Sequence, residues 1–302
     1  MATMAGEGAD RAVAASDRAR AGAIHPVTRV ILWVDLFLLL AAGAQLNLNP
    51  ARTGELFAWL IPVTLTAAFL GIGYWVAAPS LIMAVRATRW AEVRLVLIAA
   101  LTLTTVELIV TVQDFEPFLL SDAPGLAMLA AWIWVIGYFT LPPVNAIAIL
   151  VNRGTDRTPP PGALMLRPWA LGVLAVYAVT LTVFGLGMLF FSGTFDSLWP
   201  WPVTRLTAGA ISGWLLLLAM VSWAGLRERT WEAFRIVVPF YVLWSLFQLV
   251  NAARFNDDLV EGARPVAYVV AQTVTIVVFA AIGVIHERAA RAAAPQPTPA
   301  PA

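Results

Sequence analysis

Asp35 stands in Ile31-Leu32-Trp33-Val34-Asp35-Leu36-Phe37-Leu38, near the centre of a long apolar stretch. An ionised side chain at the middle of a bilayer costs a few kcal/mol even on the lenient insertion scale, so acids placed there face a bundle interior and mark proton or ion pathways. Glu107, in Thr104-Thr105-Val106-Glu107-Leu108, is the second such acid. Further on, Gln248, Asn251 and Arg254 follow one another at spacings of three, which puts them on one helical face. A polar cluster of Glu107, Gln248, Asn251 and Arg254, together with Asp35, is the candidate transport site. The alternative for these residues is hydrogen-bonding glue between helices, worth about 0.6 kcal/mol per contact.

A second pattern is Arg86, Trp90 and Arg94, which returns as Arg227, Trp231 and Arg235. Spacings of four predict a single stripe on one helix. Tryptophan favours the membrane interface and arginine binds lipid phosphate, so these six residues are the candidate lipid anchors. Asp114, Glu116 and Asp122 form one acidic segment, and Asp257, Asp258 and Glu261 another. They read as solvated loops, with attraction of a cation as the sharper alternative. Pro142 and Pro143 are expected to kink or break a helix just before Asn145.

Several chemistries have no residues to run on. The chain has no Cys, which removes disulfides, thiolate nucleophiles and cysteine-based zinc sites. Its two histidines, His25 and His286, fall near helix ends and not at mid-membrane. No glycine-rich phosphate loop, His-Glu-x-x-His or Gly-x-Ser-x-Gly motif is present, and no helix carries a run of gating arginines. The sequence therefore calls for no metal, no cofactor and no nucleic-acid partner, and a membrane enzyme acting on a lipid is the weakest of the functional readings it allows.

The elements that must position these residues are membrane helices. The chain is 60% hydrophobic and 12% charged, far from the composition of a soluble domain. A bilayer core about 30 Å thick needs about 20 apolar residues of helix. Eight stretches qualify, at 27–46, 57–79, 93–113, 125–150, 169–191, 206–226, 234–254 and 265–286. The runs are too long for barrel strands and show no alternation, and a helix satisfies its own backbone hydrogen bonds in lipid.

The eight stretches divide into two sets of four. At an offset of 141 residues, Leu65-Thr66-Ala67 returns as Leu206-Thr207-Ala208, Leu108 as Leu249 and Pro124 as Pro265, while Glu107 falls on Gln248. Between 65 and 130, 11 of 66 positions are identical. Most of these are Leu, Ala or Val, so the Arg, Trp and Pro matches carry the argument for a tandem duplication. Four helices per unit make the two repeats parallel, related by a pseudo-twofold axis along the membrane normal. Ala67-x-x-x-Gly71 and Ala208-x-x-x-Ser212 are small-residue faces expected to pack close to that axis, or else within each repeat.

Arginine placement sets the orientation. All 19 basic residues are Arg. With the N-terminus inside, 15 lie on cytoplasmic segments and only Arg52, Arg205, Arg254 and Arg264 lie outside, a positive-inside bias that places both termini in the cytoplasm. Residues 1–22 form an expected disordered N-terminus, 23–152 the first repeat, 153–166 a cytoplasmic linker, 167–287 the second repeat and 288–302 a disordered Pro/Ala tail. The first helix reads as a retained signal anchor.

Phe57-Ala58-Trp59-Leu60-Ile61-Pro62-Val63-Thr64-Leu65-Thr66-Ala67-Ala68-Phe69-Leu70-Gly71 and Trp199-Pro200-Trp201-Pro202-Val203-Thr204-Arg205-Leu206-Thr207-Ala208 resemble matching segments in a group of uncharacterised multipass membrane proteins of high-GC bacteria. The resemblance covers most of residues 25–286. It implies an eight-helix inner-membrane protein and no specific activity. Members of that group carry His at the outer end of the third helix, where this chain has Gln113-Asp114-Phe115-Glu116.

The reading is an all-α integral membrane protein of eight helices in two parallel four-helix repeats. Its expected function is transport of a small solute or ion through the bundle. The alternative is a non-enzymatic scaffold or lipid-interacting protein. Membrane lipids and a small solute or cation are the expected partners, and a homo-oligomer is compatible with the sequence.

Overall fold

The computed structural model describes residues 22–153 and 162–293. Within them the chain is helical, with isolated β-bridges and no named strand. The long helices are α1 (Pro26–Leu48), α2 (Thr64–Arg86), α3 (Trp90–Gln113), α4 (Gly125–Leu150), α5 (Pro168–Phe190), α6 (Arg205–Glu228), α7 (Val238–Arg254) and α8 (Ala263–Ala293). Short helical turns fill the connections. Seven of the eight are long and apolar enough to cross a membrane, so the chain has the make-up of a polytopic all-α membrane protein. The expected N-terminal disorder, most of the linker and the last residues of the tail lie outside the described residues.

Four expectations need correction. The first concerns α7, which has 17 residues and spans only about 26 Å at 1.5 Å per residue. Trp231–Phe234 forms a separate turn, Arg235–Val237 interrupts the helix, and Pro239 sits in the first turn of α7 itself. The second concerns α2, which begins at Thr64, not at 57, and runs on to Arg86. Phe57–Val63 instead runs as an irregular segment with Phe57, Ala58, Trp59 and Ile61 buried and Leu60 exposed, held by Ile61 N donating to Thr53 Oγ1 at 2.8 Å and Leu119 N donating to Ala58 O at 2.9 Å. Hydropathy cannot separate the two registers, because the irregular segment is as apolar as a helix. Third, α4 stays continuous through Pro142 and Pro143. The prolines still remove two donors from its ladder, one turn along from Tyr138 and Phe139. Fourth, residues 288–293 continue α8 as helix.

Two helices form the centre. Along their apolar stretches α2 and α6 are each 78% buried, against 28% for α1 and α4, 33% for α5 and 11% for α8. Apolar side chains such as Phe37 on α1, Ile136 on α4, Val176 on α5 and Val277 on α8 are exposed, a distribution that suits lipid at the rim and protein at the centre. The packing is paired. Helix α1 lies on α2 and α5 on α6; α3 packs on α6 and α7 on α2; α4 packs on α3 and α8 on α7; α2 touches α6 more lightly. Connections pair too: Trp90 N donates to Gly22 O at 2.9 Å and Trp231 N to Leu164 O at 2.8 Å, while Val260 N donates to Pro200 O at 3.0 Å, the counterpart of the Leu119–Ala58 bond.

Glycine makes the central approach close. A Cβ at Gly73 on α2 would lie 2.8 Å from ring carbons of both Trp214 and Trp244, and one at Gly213 on α6 would lie 2.5 Å from Glu107 Oε1. Gly71 approaches α1 instead, at Leu46 and Asn47, so the small-residue faces serve packing both within and between the halves. Gly73→Ala is expected to destabilise the protein by about 1–3 kcal/mol, the usual cost of overpacking a rigid core. Gly172→Ala on α5, where the added carbon meets nothing within 4 Å, is expected to be neutral or stabilising. Thermal unfolding of the two variants in the same detergent checks the contrast.

Candidate functional site

A cavity of about 190 Å³ lies between α1, α2, α3 and α4 and is closed on one side by α6 and α7. Its origin is in the sequence. Ala41 and Ala42 on α1, Ala99 and Ala100 on α3 and Gly137 on α4 line it with side chains too small to fill the space. Helix α1 meets α4 only lightly. Their polar link is at one end, where Thr28 Oγ1 donates to Ala148 O at 3.3 Å and Asn152 Nδ2 donates to Thr28 Oγ1 at 2.6 Å. Beyond that pin the two helices leave a hollow.

Asp35, the tenth residue of α1, forms part of the cavity wall and is 9% exposed. Asn145 of α4 stands beside its carboxyl. The contact does not complete a hydrogen bond of good geometry, since both polar atoms of Asn145 and the Asp35 Oδ2 remain unpartnered. Among the described residues no arginine or histidine forms an ion pair with Asp35. A charge at this position therefore meets no compensating group from the protein.

Across the cavity, Tyr74 of α2 and Tyr138 of α4 share a hydroxyl–hydroxyl hydrogen bond of 2.9 Å. Both hydroxyls lie within electrostatic reach of Glu107, and Tyr138 also of Asp35. Glu107 on α3 is fully buried, with neither carboxyl oxygen hydrogen-bonded. It sits behind the tyrosine bridge, pressed against Gly213, and is not part of the cavity wall. Thr111 Oγ1 ties this region to α4 by donating to Glu107 O at 2.6 Å and accepting from Trp134 Nε1 at 3.0 Å. Both acids thus lie within electrostatic reach of the hydroxyl pair, and among the described residues no hydrogen bond ties either carboxyl group to it.

The structure separates the cluster expected from sequence. Gln248 Nε2 donates to Phe69 O on α2 at 3.0 Å, whereas Glu107 packs on α6, so each addresses a different central helix. Asn251 is buried with its Nδ2 unpartnered, and Arg254 is exposed, its guanidinium 4.9 Å above the Phe255 ring. No hydrogen bond joins Glu107 to any of these three. Gln248 and Asn251 are buried, but α7 packs on α2 whereas α3 packs on α6, and this keeps them from Glu107.

The six candidate lipid anchors also divide. Arg86 ends α2 and Trp90 begins α3, with Ala87–Arg89 between, so the expected single stripe spans two helices. Trp90 and Trp231 are buried inside the protein; Trp231 stacks on the His286 ring at 5.3 Å and donates to Glu287 at 3.4 Å. Arg94 is buried and ion-paired with Glu228. Arg86, Arg227 and Arg235 are exposed. Of the acidic loops, Asp258 accepts from Leu65 N at the start of α2 at 2.8 Å and Asp114 pairs with Arg205 at 3.3 Å, which makes both structural.

Tyr74 and Tyr138 are the site residues that reasoning from sequence passes over. A signal was available, since the chain has only five tyrosines and each of these two lies in mid-helix among apolar residues. What the sequence could not supply was their meeting. Comparison with known proteins adds no relative: no family model, no curated protein and no solved structure matches this chain.

Tyr74→Phe and Tyr138→Phe are each expected to cost about 1 kcal/mol of stability, since each strands a buried hydroxyl. The double variant is expected to cost less than the sum, because it removes both partners. Additive losses in a double-mutant cycle of detergent unfolding would show that the hydroxyls do not interact.

Proposed function

We propose that the protein transports a small solute or ion across a membrane, using the cavity in its first four helices as the place where the cargo rests. The observation that carries this reading is the hollow itself: a cavity inside a membrane bundle, with an uncompensated carboxyl group, Asp35, in its wall. Mid-membrane acids that face a cavity rather than lipid belong to proton and ion pathways. The Tyr74–Tyr138 bridge and Glu107 behind it supply a second acid for coupling. A carboxyl group in such a place alternates between a protonated, neutral form and a form neutralised by bound cargo, which is the chemistry of proton-coupled exchange.

The architecture supports the reading. We take α7 as an eighth, shortened span and the chain as two parallel repeats of four helices. The paired helix packing and the paired connections 141–142 residues apart favour this, as does the light contact of α2 with α6 where the axis would run. Parallel repeats around such an axis are a transporter architecture. We further take the arginine-rich end, with Arg86, Arg153 and Arg227, as cytoplasmic.

Two measurements test this. Proteoliposomes carrying the wild-type protein are expected to move protons or a cation down an imposed gradient, with flux falling at least tenfold in Asp35→Asn and also in Glu107→Gln. No flux from folded, correctly oriented wild-type protein would overturn transport and favour a lipid-interacting role for the exposed arginines. Orientation is read separately, because the chain lacks cysteine. An impermeant maleimide added to intact cells is expected to label Glu116→Cys and to spare Arg153→Cys; the reverse pattern would invert the topology.

A further inference from the structure

The cavity wall combines six aromatic rings with a single carboxyl group. Phe57, Trp134 and Tyr138 form one connected run, with ring centroids 5.6 and 4.4 Å apart. Tyr74, Trp214 and Phe240 form another, at 4.9 and 6.3 Å. The Tyr74–Tyr138 hydroxyl bond joins the two runs into one wall. Among the described residues Asp35 is the only acidic one that lines the cavity, and no basic one does. The rest of the lining is chiefly Ala, Leu and Val.

Each part of this wall selects. The faces of aromatic rings attract cations, and do so more strongly when water is excluded. A buried carboxyl group without an ion-pair partner is neutral when it holds a proton, and when ionised it is stabilised by a cation brought to it. A bare divalent ion is poorly served, since calcium takes 6–8 oxygen ligands and magnesium retains several waters. A molecule with an apolar body and one positive centre satisfies both halves of the wall. An apolar hole of about 150 Å³ holds a benzene ring, so about 190 Å³ holds a ring with a small substituent.

The second half of the chain shows the same position without the site. The residues 142 positions on from Asp35 and 141 on from Ala100 and Tyr138 are Tyr177, Tyr241 and Phe279. Tyr241 and Phe279 stack at 3.9 Å with an interplanar angle of 3°, and Tyr177 meets Phe279 edge-on at 5.1 Å. Where the first half has an acid, an alanine and one ring, Tyr138, the second half has three rings in contact.

We infer that the cavity is a binding site for a small lipophilic organic cation, one ring carrying an ammonium group, with the ammonium at Asp35 and the ring against the aromatic wall. The inference rests on the reading of the cavity as the cargo's place, and it names the cargo's chemical class. Among the described residues the matched position in the second half is filled, so that half does not repeat the site.

The test uses the purified full chain in lipid nanodiscs at equilibrium, with phenyltrimethylammonium and its neutral isostere tert-butylbenzene as probes. Binding is read by calorimetry and by fluorescence of the tryptophans that include Trp134 and Trp214. The cation is expected to bind one per chain and at least tenfold more tightly than the isostere. Asp35→Asn is expected to abolish that preference while leaving the isostere's affinity unchanged. Ala100→Tyr, which brings in the ring that the second half carries at the matched position, is expected to abolish binding of both probes. Equal affinity of the wild-type protein for the two probes would overturn the inference, and that comparison stands even if a variant fails to fold. Cation binding that survives Ala100→Tyr would also overturn it. Since no gradient is applied, binding without flux would count against transport alone, and flux without cation binding against this inference alone.

Discussion

The close approach of flanking helices to the two central ones, α2 and α6, is the contact on which the rest of this bundle depends. In a membrane the association of helices draws little on the hydrophobic effect, because lipid tails are as apolar as leucine, and packing must do the work. Gly73 and Gly213 meet that requirement at two levels. The first admits the rings of Trp214 and Trp244, and the second admits the carboxyl group of Glu107. Ser80 adds a polar tie, donating to Ile236 O at 2.8 Å across to the segment before α7. With the centre fixed in this way, α1 and α4 are held mainly by their inner neighbours and need not pack tightly on each other.

That looseness is where the cavity comes from. Two helices that meet at one end through Thr28, Ala148 and Asn152, and carry alanine and glycine further along, cannot close the space between them. Close packing is the rule in protein interiors, and an unfilled space forfeits dispersion contacts on its walls. The comparison inside the chain gives this weight: at matched positions the second half is packed solid by Tyr177, Tyr241 and Phe279. The same scaffold can be filled, and in the first half it is not.

The polar groups at the filled position of the second half are paired with one another, although Ser245, Gln248, Asn251 and Tyr268 elsewhere in that half keep unpartnered atoms. The hydroxyls of Tyr241 and Ser222 bond each other at 2.9 Å, and Tyr241 reaches Leu218 O at 3.0 Å. Tyr177 bonds Thr275 at 2.6 Å. In the first half Asp35 Oδ2, both oxygens of Glu107 and both polar atoms of Asn145 are left without hydrogen bonds. Buried polar groups are ordinarily paired, so each of these unpaired atoms calls for an explanation.

The sequence by itself determined the helical make-up of the protein and its polytopic membrane character, because twenty-residue apolar runs leave helix as the only element that satisfies its own backbone in lipid. Hydrogen bonds at the helix connections also recur 141–142 residues apart. The sequence did not determine where α2 begins, since Phe57–Val63 is apolar for a different reason: it is an irregular segment that buries Phe57, Ala58, Trp59 and Ile61 and is not helix. Nor did it determine that Trp90 and Trp231 turn inward to protein, or that Glu107 and Gln248 address different central helices. Hydropathy measures how far a residue is from water and is silent on whether lipid or protein surrounds it. The meeting of Asp35, Tyr74, Tyr138 and Asn145 was decided only by tertiary packing, because these residues come from three helices and share no pattern along the chain. Their proximity depends on which helix packs on which, and in a bilayer that choice is made by shape.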